Sequence, residues 1–167
     1  MQRRLMLSLA GAGALLIAGC GFRVRGTPNF AFNSIYVNAP ENSGLGDDLR
    51  RALTANRALR VLTNPQQMLE ADVILDVLAD RREKTVVGTS SAGQVREFQL
   101  RTLFSFRLRT PQDKELIELA ELQQQRDISY NESAALAKEN EEALLYRDMQ
   151  SDLVQQIMRR LSSVRAF

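Results

Sequence analysis

The chain has 167 residues, with 22 basic and 20 acidic side chains, one cysteine and no histidine. Without histidine the commonest general base, the commonest metal ligand and any Ser-His-Asp arrangement are excluded. A lone cysteine has no partner for an internal bridge, and the near balance of charge leaves no nucleic-acid footprint at the level of net charge.

The first segment reads as an export signal. Arg3 and Arg4 make a basic start, residues 5–18 are mostly apolar, and small residues precede Cys20. The apolar stretch falls short of the ~20 residues a helix needs to cross a bilayer, so a spanning helix is not expected. The run Ile17-Ala18-Gly19-Cys20 resembles the lipobox of bacterial lipoproteins, in which the thiol takes a diacylglycerol, the leader is cut before the cysteine and the new amino group is acylated. Buried acyl chains contribute ~0.8 kcal/mol per methylene, so three of them anchor firmly. The alternative is an ordinary signal peptide followed by a free cysteine. Gly21, where an aspartate would imply retention at the inner membrane, points to the outer membrane, with the domain on its periplasmic side. The expected division is therefore a lipoprotein signal peptide over 1–19, an acylated N-terminus and tether over 20–34, and one domain over 35–167. Removing 1–19 takes two arginines and no acid, which leaves basic and acidic residues equal.

Beyond the tether the patterns alternate between strand and helix. Residues 35–37 make a short strand. Residues 43–57 make a helix with Leu45, Leu49, Ala52 and Leu53 on one face, acids in its first turn and arginines further on, as the macrodipole prefers. Residues 59–62 can pair as a strand, and Asn64-Pro65 reads as the cap and first position of a brief helical turn. Val73, Leu75, Val77 and Ala79 alternate with more polar neighbours, giving a strand from Asp72 that extends to Val87. Residues 95–109 place Phe98, Leu100, Thr102, Phe104, Phe106 and Leu108 on one face and Arg101, Arg107 and Arg109 on the other. Residues 88–93 supply a hairpin turn between these two strands. A third strand over 115–130 has faulty alternation, with Ile117 and Leu119 on one side and Leu116, Ala120 and Leu122 on the other, which a bulge explains. From Asn131, the expected cap, the period turns helical: Leu145, Met149, Leu153, Ile157 and Leu161, widened by Leu144, Val154 and Met158. The expected fold is α+β, a two-layer sandwich with two main helices packed on one face of a largely antiparallel, mixed β-sheet.

Little in the chain suits catalysis. Glu139, Glu141 and Glu142 form an acidic group, which a solvated helix face explains better than a metal site, because carboxylates one residue apart do not converge on a cation. Ser90 and Ser91 have no base in view and read as turn residues. A hydrolase built on carboxylates alone stays open, since paired acids suffice for some glycosidases. No cofactor or metal is expected.

Three short patterns occur in order along the chain: Cys20-Gly21-Phe22-Arg23-Val24-Arg25, then Gly93-Gln94-Val95-Arg96-Glu97-Phe98-Gln99-Leu100, then Leu136-Ala137-Lys138-Glu139-Asn140-Glu141. Together they resemble the LptE family of lipopolysaccharide-assembly lipoproteins. The resemblance implies a non-enzymatic outer-membrane protein that plugs the lumen of the β-barrel LptD, assists its assembly and binds lipopolysaccharide in transit. It implies a glycolipid contact at Lys138; Arg96, at the hairpin base, is a second candidate on its own chemistry, since charge-assisted donors suit phosphates. The hairpin tip departs from the pattern, with Ser91 where relatives carry a basic residue. Barrel lumens are polar, which suits the strand face bearing Arg101, Arg107 and Arg109. The rival reading is a structural module of another outer-membrane complex, with no lipopolysaccharide binding.

Overall fold

The computed structural model describes residues 28–165 and residue 167. The expected signal peptide, Cys20 and the expected tether up to residue 27 lie outside the described residues.

Five strands form one sheet in the order β2-β1-β3-β4-β5. The short strand β1 (Ser34–Asn38) runs parallel to both β2 (Arg60–Leu62) and the first part of β3 (Val73–Thr89). Two antiparallel hairpins then join β3 to β4 (Val95–Arg109) and β4 to β5 (Glu115–Ser129). Parallel pairing of β1 and β2 needs a crossover, and helix α1 (Gly44–Thr54) supplies it. Its N-cap Ser43 accepts from the Gly46 amide at 3.0 Å, and the Asp80 carboxylate of β3 accepts from Ser43 Oγ at 2.8 Å and from the Leu45 amide at 3.2 Å. An anion at a helix N-terminus meets unpaired amides and the positive end of the dipole, so this contact pins α1 to β3. The helix stops at Thr54, three residues before the expected end. Asn56 turns the chain there, donating to the Pro28 carbonyl at 2.7 Å and accepting from the Ala58 amide at 3.1 Å.

The second helix, α2 (Ala135–Ser162), has 28 residues, about 42 Å at 1.5 Å per residue. Asn131 caps a single 3-10 turn (Glu132–Ala134) that leads into it. Leu153, Val154, Ile157 and Leu161 of α2 and Leu45, Leu49 and Leu53 of α1 share one core with Ile35, Val37, Val73, Leu75, Phe104, Phe106 and Leu108. Both helices therefore cover the same face, and the fold is the α+β sandwich read from the sequence. Leu144 departs from the expected stripe: it is exposed, and Tyr146 is buried two positions on. Among the described residues the reverse face is covered at its parallel end. There a 3-10 turn (Pro65–Glu70), capped by Asn64, brings Met68 onto Tyr36, Leu62, Ala71 and Ile74.

Bulges decide what the long strands present. Val77 pairs with Phe106 and Ala79 with Ser105, so Leu78 is an extra residue and the parity of β3 reverses. Val73, Leu75 and Val77 face the helices as expected, whereas Ala79 turns to the opposite face and Asp80, Arg82, Lys84 and Val86 take the helix side. On β5 the register slips between the pairs Phe106/Ala120, Leu108/Ile117 and Arg109/Glu115. This is the bulge that the faulty alternation of Leu116 to Leu122 predicts. A bulge inserts an unpaired residue and sharpens the local twist, so one strand serves two differently oriented faces.

Candidate functional site

Beyond Asp76, β3 has no strand partner on its β1 side among the described residues. Tyr146 of α2 closes part of that edge: its hydroxyl donates to the Glu83 carbonyl at 2.8 Å, and the Arg82 guanidinium lies 5.2 Å from its ring centre. Burial pushes the Tyr146 hydroxyl above its ordinary pKa, and the Glu142 charge adds to this. Gln150, also buried, bonds both Arg82 and Asp48 and so links α2 to β3 and α1. These contacts hold the N-terminal half of α2 across the far ends of β3, β4 and β5.

Between that half of α2 and the strands lies a cleft of about 300 Å³. Phe98, Ile128 and Tyr130 provide apolar wall, and the two rings meet edge to face at 5.2 Å. Two ammonium groups enter from opposite sides. Lys138 of α2 donates to Ser129 Oγ at 3.0 Å and pairs with Glu141 at 2.8 Å. Lys84 of β3 pairs with Glu142 at 2.6 Å and stands 4.3 Å from the centre of the Phe98 ring, a cation held against an aromatic face. Glu139 also lines the cleft. Of the acidic trio, Glu141 and Glu142 thus serve as partners for lysines. Among the described residues no group of three or more candidate ligands is arranged to hold a metal.

Arg96 lies beside this cleft. It is the extra residue where Gly88 pairs with Glu97 and Thr89 with Val95, and its carbonyl accepts from the Tyr130 amide at 2.7 Å. Its exposed side chain lines a neighbouring pocket of about 290 Å³ with Asn131, Glu132 and Ser133, which shares Val95 with the lysine cleft. The structure therefore brings Arg96 and Lys138 to one end of the molecule. Lys84 is the residue that sequence reasoning missed. A simple alternation started at Val73 puts it on the open face, and only the bulge at Leu78 turns it inward. The sequence does not signal the reversal, because Val86 and Val87 stand side by side and fit either parity.

The three strand arginines stand elsewhere, on the face away from α2. Arg101 bonds Gln99 at 3.0 Å and lies 3.7 Å from Glu83, with its Nε buried and unpartnered. Arg107 and Arg109 converge on Asp76, their Nε atoms 3.0 and 2.7 Å from Oδ2, while Asn38 donates to Oδ1 at 2.8 Å. Burial pushes the Asp76 carboxyl up, but the hydrogen bonds from Arg109, Asn38 and Arg107, with the Arg109 charge, outweigh it and hold the group below its ordinary pKa. The Arg109 side chain, only 14% exposed, is largely occupied by this pairing. Around Arg101 the open face is polar: the register sets Glu83, Arg101 and Gln125 in one row, Thr85, Gln99 and Asp127 in the next, and Arg81, Leu103 and Gln123 on the other side. Among the described residues no helix is long and apolar enough to cross a membrane.

Comparison with known proteins agrees with this architecture. The family LptE, lipopolysaccharide-assembly, matches residues 32–161. The solution structure of an uncharacterized lipoprotein B from Nitrosomonas europaea is 34% identical and superposes with a TM-score of 0.72, over 86% of this chain and 91% of that one. The crystal structure of the rare lipoprotein B from Shewanella oneidensis is 20% identical with a TM-score of 0.64, over 78% of this chain and 95% of that one. A minor lipoprotein from Acinetobacter baumannii, 17% identical, gives 0.63 over 81% and 94%. The last two show a shared fold.

Proposed function

The chain belongs to the lipopolysaccharide-assembly family LptE, and from that premise we propose that it is a non-enzymatic lipoprotein, anchored through acylated Cys20 to the periplasmic side of the outer membrane, that plugs the barrel LptD and holds lipopolysaccharide during its passage. The observation that carries this reading is the two-sidedness of the long strands. One side of β3, β4 and β5 packs against the helices, burying Leu75, Leu100, Phe104, Phe106, Leu108 and Ile128 there. The other, uncovered among the described residues, carries mostly Glu, Gln, Ser, Thr and Arg side chains around Leu103, chemistry that matches the polar interior of a β-barrel. Arg101, whose side chain is 38% exposed, offers that lumen the outer edge of its guanidinium, and Arg107 and Arg109 contribute the edge of a neutralised cluster rather than free charge.

The glycolipid meets the other end. Lipopolysaccharide combines phosphates with acyl chains, and the cleft combines the ammonium of Lys138 with the apolar wall of Phe98, Ile128 and Tyr130. Arg96 extends the basic rim and suits a second phosphate through its bidentate fork. Photocrosslinking in cells tests both halves together. A photoreactive residue at Arg101 is expected to capture the barrel, and one at Lys138 to capture lipopolysaccharide. Absence of any barrel adduct from Arg101, together with absence of a barrel in mild-detergent co-purification, overturns the plug.

A further inference from the structure

We infer that Lys84 and Glu142 form a latch in the cleft: Lys84 is a second phosphate-binding cation beside Lys138, and the Glu142 carboxylate occupies it as an internal competitor that the phosphate of an arriving lipid displaces. The inference rests on the glycolipid reading of this cleft and adds its regulation.

Four observations converge. Lys84 and Lys138 come from different elements, β3 and α2, yet line the same cleft. Each is already matched by one carboxylate of α2, Lys84 by Glu142 at 2.6 Å and Lys138 by Glu141 at 2.8 Å. The Lys84–Glu142 pair is open to water, with side-chain exposures of 37% and 23%, and a pair so exposed is worth at most ~1 kcal/mol. An incoming phosphate with more than one charge can therefore break it. Finally, the Phe98 ring under Lys84 holds the ammonium in the cleft when its carboxylate leaves, because the ring attracts the cation whichever anion it pairs with. A latch of this kind weakens binding by the stability of the pair that must open. That suits a carrier that must release its lipid, because the carboxylate returns as the phosphate departs.

Double-mutant cycles on the full-length acylated protein in mild detergent, titrated with lipopolysaccharide, with enzymatically dephosphorylated lipopolysaccharide and with inorganic phosphate, test the inference. Glu142→Gln is expected to tighten binding of the phosphorylated lipid about three- to fivefold and to leave the dephosphorylated form unchanged. Lys84→Gln is expected to weaken it by a similar factor and to abolish the gain from Glu142→Gln in the double variant. A gain that persists in the Lys84→Gln background, or an equal gain from Glu139→Gln at the same cleft, means that any lost negative charge suffices, and the latch is refuted. The inorganic phosphate arm separates sources: a response equal to that of the lipid makes this a free-phosphate site, with no role in lipid transit. If Lys138→Glu leaves lipopolysaccharide binding unaltered, the glycolipid reading itself falls, and the latch with it. Unchanged thermal melting of each variant secures the comparison against misfolding.

Discussion

Asp76 is the side chain on which two strand arginines depend. Its carboxylate is 8% exposed and accepts from Arg107, Arg109 and Asn38, so an ionised acid is stabilised where burial alone would favour the neutral one. Because its folded pKa is depressed, the folded chain binds fewer protons than the unfolded one in the acid range. The stabilisation is therefore complete above the carboxyl's ordinary value, and it is lost as pH drops below about 4 and passes through the folded value. Asp76→Asn keeps the shape but leaves Arg109, with little access to water, beside a neutral amide. Its expected cost at neutral pH is about 3 kcal/mol, shrinking as pH falls below about 4. Urea midpoints of both proteins across pH 2 to 7 check this, and parallel profiles would show that Asp76 carries no special charge stabilisation. In the sequence Arg107 and Arg109 look like free cations on an outward face. Their partner lies over thirty positions away, and no local pattern signals that the strand pairing delivers it.

At the scale of elements, two hairpins share one turn geometry. In the first, the Gly93 amide donates to the Ser90 carbonyl and the Ser90 amide to the Gln94 carbonyl. In the second, Asp113 donates to Thr110 and Thr110 to Lys114. The residue in the left-handed region is Gly93, with φ of 77°, in one and Asp113, with φ of 65°, in the other. A glycine adopts this conformation without steric cost, and aspartate is among the side chains that tolerate it. A Cβ at Gly93 would meet nothing within 4 Å, so Gly93→Ala isolates the backbone penalty. The expected loss is about 1 kcal/mol, seen as a lower thermal midpoint, and an unchanged midpoint would mean that the turn relaxes at no cost. The turn over 88–93, the cap residues Asn64 and Asn131, and the strand over 95–109 were all legible in the chain, since each depends on neighbours a few positions apart. The bulge on β5 was legible as well, through its broken alternation. The bulge at Leu78 was not, because Ala79 is apolar enough to continue the pattern on the wrong face.

For the whole molecule the sheet is a partition. The face bearing Arg101 and the cleft bearing Lys84 and Lys138 lie on opposite sides of β3, β4 and β5, so barrel contact and glycolipid contact are expected to separate. Arg101→Glu should lower the yield of barrel in co-purification and leave lipopolysaccharide capture near normal. Lys138→Glu should do the reverse. Equal loss of both functions in either variant would mean that the two surfaces act as one. Family membership was readable in the sequence because its three motifs keep their order, and the match over residues 32–161 agrees with it.

By itself the sequence determined the helix and strand segments, the α+β class, the absence of histidine chemistry and the family. These follow from residue periodicity, turn chemistry and composition, all of which are local or additive. Only the tertiary structure decided which charges stay free and which side of the sheet each one faces. A single extra residue at Leu78 reverses a strand's parity, which turns Lys84 toward Lys138. Pairing across the sheet brings Asp76 to Arg107 and Arg109, and packing of α2 sets Glu141 and Glu142 against the lysines. Such outcomes depend on register and on contacts distant in the chain, where a one-residue shift changes the answer and composition does not.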